Sequence, residues 1–178
     1  MTRIVFDTTA LSHFSRAERL NSLHEITADD ECVLLAEVLA ELVKGVAVYP
    51  SLGMISAESW LQRAALNELD ELAAFAKYKG ELGGGPERNN GEAAVLAWAS
   101  ANGGMAIIDE EVGRNIGARD GLQVHGSLWL VIRSFKSNVL DRATAEHIVD
   151  DLIGTGKRLP VSNGADLFTW AYRAGVLP

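Results

Sequence analysis

Ile4-Val5-Phe6-Asp7 near the start and Ala106-Ile107-Ile108-Asp109 in the second half are two short apolar runs, each stopping on a carboxylate. A run of β-branched and aromatic residues that ends on Asp reads as a buried parallel strand with an acid at its C-terminal tip. Ligands bind beyond that end of the strands in open α/β sheets. Two such acids, with glutamates on the helices between them, suit a pocket for a divalent metal.

The rest of the chain fits this frame. Its 178 residues are 48% hydrophobic and 22% charged, the composition of a globular chain able to bury a substantial core. No stretch approaches the roughly 20 apolar residues of a membrane span. The first strand begins within three residues, so no signal peptide is expected and a cytoplasmic location is. The single cysteine, Cys32, excludes an internal disulfide and reads as a small core residue. The net charge of −8, from 16 basic and 24 acidic residues, argues against a general nucleic-acid coat. It leaves a nuclease open, because a metal neutralises clustered carboxylates while bridging to phosphate.

Along the chain, Thr8 to Arg19 reads as a helix capped by Thr8 or Thr9. Cys32 to Val43 begins as a strand and becomes a helix with Glu37 and Glu41 on one face. Gly45 to Gly53 breaks it. Ser59 to Tyr78 has helical periodicity, with Leu61, Ala65, Leu69 and Leu72 or Ala73 inward. A glycine-rich segment from Gly80 to Gly91 precedes a helix from Glu92 to about Ala101. The second acid-tipped strand, a helix over Glu111 to Arg119, a strand over Leu122 to Val124 and a helix capped by Ser127 follow. Arg142 to Ile153 and Ala165 to Ala174 are two further helices. No repeat or linker divides the chain, so one domain over 1–178 is expected, a three-layer α/β/α sandwich around a mainly parallel sheet.

Each acid has a bland explanation beside the functional one. Asp7 could simply cap a helix, although Thr8 and Thr9 offer that cap. Glu41 sits among apolar residues, where a carboxylate is costly unless paired or metal-bound. Glu92 opens a helix, where the dipole favours an acid, but Gly91 before it and alanines after it suggest close packing. Asp109-Glu110-Glu111 could be a solvated helix start. Arg114 could neutralise one of these acids or contact phosphate. Ser127 could support a metal site or cap its helix.

Other chemistries lack their residues. The glycine-rich segment has no Gly-Lys-Ser/Thr ending and follows no strand, so it is not a P-loop. Position 9 is Thr, where a haloacid-dehalogenase-like phosphatase would need Asp. His13, His24, His125 and His147 lack zinc-ligand spacing, and there is no Gly-x-Ser-x-Gly elbow. Trp60, Trp98, Trp129 and Trp170 read as core residues.

Taken in order, Ile4-Val5-Phe6-Asp7-Thr8-Thr9, Glu41-Leu42-Val43, Gly91-Glu92-Ala93, Ile107-Ile108-Asp109-Glu110 and Gly121-Leu122-Gln123-Val124-His125-Gly126-Ser127-Leu128 resemble the PIN domain family, the nuclease fold of VapC-type bacterial toxins. With Arg114, the later stretch looks most like a PIN-like branch of unknown function. The resemblance spans about residues 3 to 135, with a weaker echo in the C-terminal helices over about 142–175. It implies an α/β/α sandwich whose acids bind one or two Mg²⁺ or Mn²⁺ ions and cleave RNA. Carried over, Asp7, Glu41, Glu92 and Asp109 form the acidic quartet and Ser127 supports it. Glu110 stands where relatives often have a second Asp, so Asp109 and Glu110 remain alternative ligands. Ser127 replaces a more usual Thr, and Trp129 a common Gly. The resemblance also implies an RNA substrate, a homodimer and a silencing antitoxin, whose capture the negative charge would favour. A PIN-like binding or regulatory module without turnover, and an unrelated small phosphatase, are the competing readings.

Overall fold

The computed structural model describes residues 1–178. Five strands, β1 (Arg3–Phe6), β2 (Glu31–Leu35), β3 (Leu61–Ala64), β4 (Met105–Ile107) and β5 (Gln123–His125), form one sheet in the order β3-β2-β1-β4-β5. Every neighbouring pair is parallel. From β1 the chain steps outward through β2 and β3, then returns to lay β4 on the other side of β1. The reversal lies between β1 and β4, where Phe6 is in register with Ile107. A crevice opens at such a switch point, at the carboxyl ends of the strands. The two acid-ended runs of the sequence are the two strands that flank it.

Helices flank the sheet, giving the expected α/β sandwich. They are α1 (Thr8–Arg16), α2 (Leu20–Ile26), α3 (Ala36–Gly45), α4 (Leu69–Leu82), α5 (Asn90–Asn102), α6 (Glu111–Arg119), α7 (Ser127–Lys136), α8 (Arg142–Gly154) and α9 (Leu167–Arg173). Ile4, Val5, Phe6, Ala106 and Ile107 are wholly buried, as strands covered on both faces must be. Helix α5 is buried from Gly91 to Ala99 without a break. Its run of alanines is what lets a helix sit that deeply, packed against α3, α4, α6 and the central strands. Removing a large central side chain such as Phe6 would cost about 3–5 kcal/mol. No helix is long and apolar enough to cross a membrane. Cys32 is buried and unpaired, and burial pushes its thiol up to about 11, which keeps it protonated.

Five local expectations are corrected. The single helix expected over Ser59 to Tyr78 is instead β3, a turn and α4. Leu61 to Ala64 pair in parallel with Cys32 to Leu35, and that pairing overrides the helical pattern. The inner face of α4 is set by Glu71 and Tyr78, leaving Leu69 and Leu72 exposed. The helix expected over Thr8 to Arg19 ends at Arg16, Glu18 turns left-handed (φ 57°), and α2 follows. Asp7, not a threonine, caps α1, accepting from the Thr9 N–H. Gly126, not Ser127, caps α7.

Candidate metal centre at the sheet switch point

Asp7, Glu41, Glu92 and Glu110 line one open cleft of about 450 Å³ beyond the ends of β1 and β4, together with Thr8, Arg88 and Asn89. Each arrives by a different route. Asp7 is the first residue past β1, its backbone N–H still bonded to Ile107 O at 3.0 Å. Glu41 lies one turn into α3, which starts directly after β2. Glu92 sits in the first turn of α5, and Glu110 is the residue before α6.

Glu41 is fastened at both oxygens. The Thr8 hydroxyl donates to Oε2 at 2.6 Å, and the Gly91 N–H donates to Oε1 at 2.9 Å. Residue 91 must be glycine for this approach, since a Cβ there would lie 2.6 Å from Thr8 Oγ1 and 2.7 Å from Glu41 Oε2. The close packing expected at the start of α5 is therefore real, and it serves Glu41 as well as Glu92. Glu37, on the same helix face as Glu41, does not line the cleft, and its Oε2 is buried without a partner.

Glu92 is buried, and its Oε1 has no hydrogen-bond partner. Such a group is costly to leave unmatched. Gly113 makes room for it: a Cβ at that position would stand 1.9 Å from Glu92 Oε1. Burial, with the charges of Asp7, Glu110 and Glu41, pushes the Glu92 pKa up to about 7. Burial likewise pushes Asp7 to about 7, with Glu41 and Asp109 adding to it against the Thr9 and Thr8 backbone N–H groups. Asp7 accepts one hydrogen bond, from Thr9 N at 3.2 Å. The cleft thus holds two desolvated carboxylates that no cation of the protein compensates. Hard oxygen donors in this state suit a Mg²⁺- or Mn²⁺-class ion. The acids line the cleft without forming a closed cage: no three His, Cys, Asp or Glu side chains stand ready to share an ion.

Asp109 is placed differently from the other expected acids. The pairing of β4 stops at Ile107, and Asp109 turns away from the cleft toward α7. Its Oδ1 accepts from Ser127 N at 2.8 Å, and its Oδ2 from Ser127 Oγ at 2.7 Å and from the Lys157 ammonium. Burial alone would raise its pKa, but Lys157 and the Ser127 hydrogen bonds outweigh it and hold the carboxyl below its usual range. Of the alternatives Asp109 and Glu110, the structure brings Glu110 to the cleft. Ser127 anchors Asp109 and reaches no other expected acid. Arg114 pairs with neither, donating to the carbonyls of Ile108 (3.3 Å) and Asp109, so it shapes the turn after β4.

Three contributors escaped the sequence reading. Arg88 and Asn89 lie in the glycine-rich segment and stand at the cleft because Asn89 adopts a left-handed conformation (φ 59°) just before α5. The Glu87-Arg88-Asn89-Asn90 run of polar residues was the available signal. Lys157 gave none beyond a preceding glycine.

A family model described as a PIN domain matches residues 3–166. The chain belongs to the PIN domain family. PIN domains are a nuclease fold and generally metal-dependent, which agrees with a cleft of uncompensated carboxylates. No curated protein matches the chain.

Proposed function

We propose that this PIN domain is a divalent-metal-dependent ribonuclease, the toxin component of a toxin–antitoxin pair. The observation that carries the reading is Glu92, buried with an unmatched Oε1 beside Asp7 in one cleft. Asp7, Glu41, Glu92 and Glu110 would hold Mg²⁺ or Mn²⁺. The ion's chemistry is to polarise a phosphoryl oxygen and supply hydroxide near neutral pH. The chain's own residues do the remaining work. Thr8 and Gly91 fix Glu41 before any ligand arrives, and the burial of Glu92 strengthens its attraction for a cation. Arg88, exposed at the rim, supplies a positive charge for the RNA phosphate entering an otherwise acidic cleft.

The partners that accompany this reading are a single-stranded RNA substrate, an antitoxin protein with basic side chains, and a second copy of the chain. It acts in the cytoplasm, where the buried Cys32 stays reduced. Chelator-stripped protein given Mn²⁺ or Mg²⁺ should cut labelled single-stranded RNA. Asp7→Asn should abolish the cut with an unchanged circular dichroism spectrum. Wild type inert across several RNAs overturns the reading.

The lack of a closed ligand cage favours a second reading, a PIN module that binds RNA or protein without turnover. Calorimetry separates the two, since that module takes up no Mn²⁺.

A further inference from the structure

Lys157 is a buried lysine: its side chain is 2% exposed and its partner Asp109 10%. Burying an ammonium costs several kcal/mol unless an acid compensates it, so the pair is a fixture of the fold. The segment that delivers it is docked with care. Thr155, at the end of α8, receives a 2.5 Å hydrogen bond between its hydroxyl and His13 Nδ1, and its carbonyl accepts from Arg16 Nη2 at 2.5 Å. Gly156 then takes a left-handed turn (φ 84°), a conformation that side chains disfavour, and Lys157 points inward.

The consequence for Asp109 is twofold. Its charge is neutralised from within the chain, and three of the roughly four lone-pair positions of a carboxylate are in use. Asp7 and Glu92, by contrast, have no cation partner. The acids around the switch point thus divide into a compensated one and an uncompensated group.

We propose that Lys157 is a built-in counter-cation that withdraws Asp109 from the acidic centre and leaves Asp7, Glu41, Glu92 and Glu110 to hold a single divalent ion. The assignment rests on the metal-site reading above. It makes Lys157 a positioning residue that sets how many ions the centre takes.

The test is calorimetric titration of the chelator-stripped full chain with MnCl₂, accompanied by a thermal melt. Wild type should bind one ion per chain. Lys157→Met leaves Asp109 an uncompensated carboxylate and should add a second ion, or tighten binding by about tenfold or more. Folded Lys157→Met with unchanged stoichiometry and affinity overturns the proposal. If that variant fails to fold, the double variant Asp109→Asn/Lys157→Met decides, because it removes both charges together. It should bind one ion with affinity within about threefold of wild type, whereas a loss beyond about tenfold would make Asp109 a ligand and overturn the proposal. Wild type that binds no ion sinks the metal-site reading. An ion gained only in Lys157→Met overturns the single-ion centre of wild type and upholds only the neutralisation of Asp109 by Lys157, and none in either protein overturns both.

Discussion

The Thr8 hydroxyl donates to Glu41 Oε2 across 2.6 Å, tying the start of α1 to α3 beside the cleft. With Gly91 N–H on the other oxygen, Glu41 is oriented before any ligand binds. Partners that orient a metal ligand are typically worth about 10–100-fold in affinity. Thr8→Val keeps the shape and loses the donor. We expect Mn²⁺ binding to weaken by about tenfold in calorimetry, with a stability cost of about 1–3 kcal/mol for the hydrogen bond removed. Unchanged affinity would mean that Glu41 needs no such orientation.

Asp7 and Glu92 both titrate near 7 in the folded protein, well above their unfolded values of about 3.9 and 4.3. An acid with a raised folded pKa contributes stability below its unfolded pKa and loses it as pH rises through the folded one. The metal-free protein should therefore lose stability through these groups between about pH 4 and pH 7. Asp7→Asn removes one of them and keeps a capping side chain for α1. In chelator, urea melts should show the variant gaining about 1–3 kcal/mol over wild type at pH 8 relative to pH 5. His13 acts in the opposite sense. Its pKa is lowered to about 4 by burial and by Lys157 and Arg16, so its contribution is lost as pH falls below about 6.5. The comparison of variant with wild type cancels it. Mn²⁺ should stabilise wild type and leave Asp7→Asn almost unmoved.

The same physical logic explains what the sequence revealed and what it hid. Strands β1 and β4 were legible because Ile4-Val5-Phe6 and Ala106-Ile107-Ile108 are apolar runs too short and too β-branched for anything but a covered strand. Glu41 and Glu92 were legible because an acid among apolar neighbours needs a reason. Strand β3 was not, since Leu61-Gln62-Arg63-Ala64 acquires strand character only by pairing with β2. The placement of Asp109 was hidden for a related reason. Its position after the strand is what an acid of the cleft would have, but its side chain is held by Ser127, 18 residues further on, and by Lys157, 48 residues further on. Contacts at such separations leave no trace in local pattern.

Glu71 is the second acid whose neighbours fix its role, here structural. Its Oε2 accepts from the N–H groups of Asn67 (2.8 Å) and Glu68 (3.0 Å), and its Oε1 from Asn102 Nδ2 at 2.7 Å. The first two close the start of α4, with Glu68 completing a capping box, and the third joins α4 to the end of α5. The Glu68 and Asn102 hydrogen bonds hold its pKa below the ordinary value. Stability from Glu71 is therefore present above about pH 4.3 and is lost as pH falls through the folded pKa. Glu71→Ala should cost about 1–3 kcal/mol at neutral pH and less in acid, read from urea melts. RNA cleavage should be unaffected below the melting temperature, because Glu71 lies outside the cleft.

Gly113 offers the sharpest separation of site from scaffold. It lies inside α6, where alanine is favoured over glycine by about 1 kcal/mol. The nearest obstacle to a side chain there is Glu92: a Cβ would stand 1.9 Å from its Oε1 and 2.8 Å from its Cδ. Glu92 is buried, so its carboxylate must turn away from this niche, either toward Asp7 or out of the cleft. The helix gains what the site loses. Gly113→Ala should melt within about 1 kcal/mol of wild type while its Mn²⁺ affinity and RNA cleavage fall by about tenfold or more. A variant that binds the ion as wild type does would show that Glu92 is not among its ligands. A variant that loses stability and affinity together would show instead that the niche at Gly113 holds up the fold.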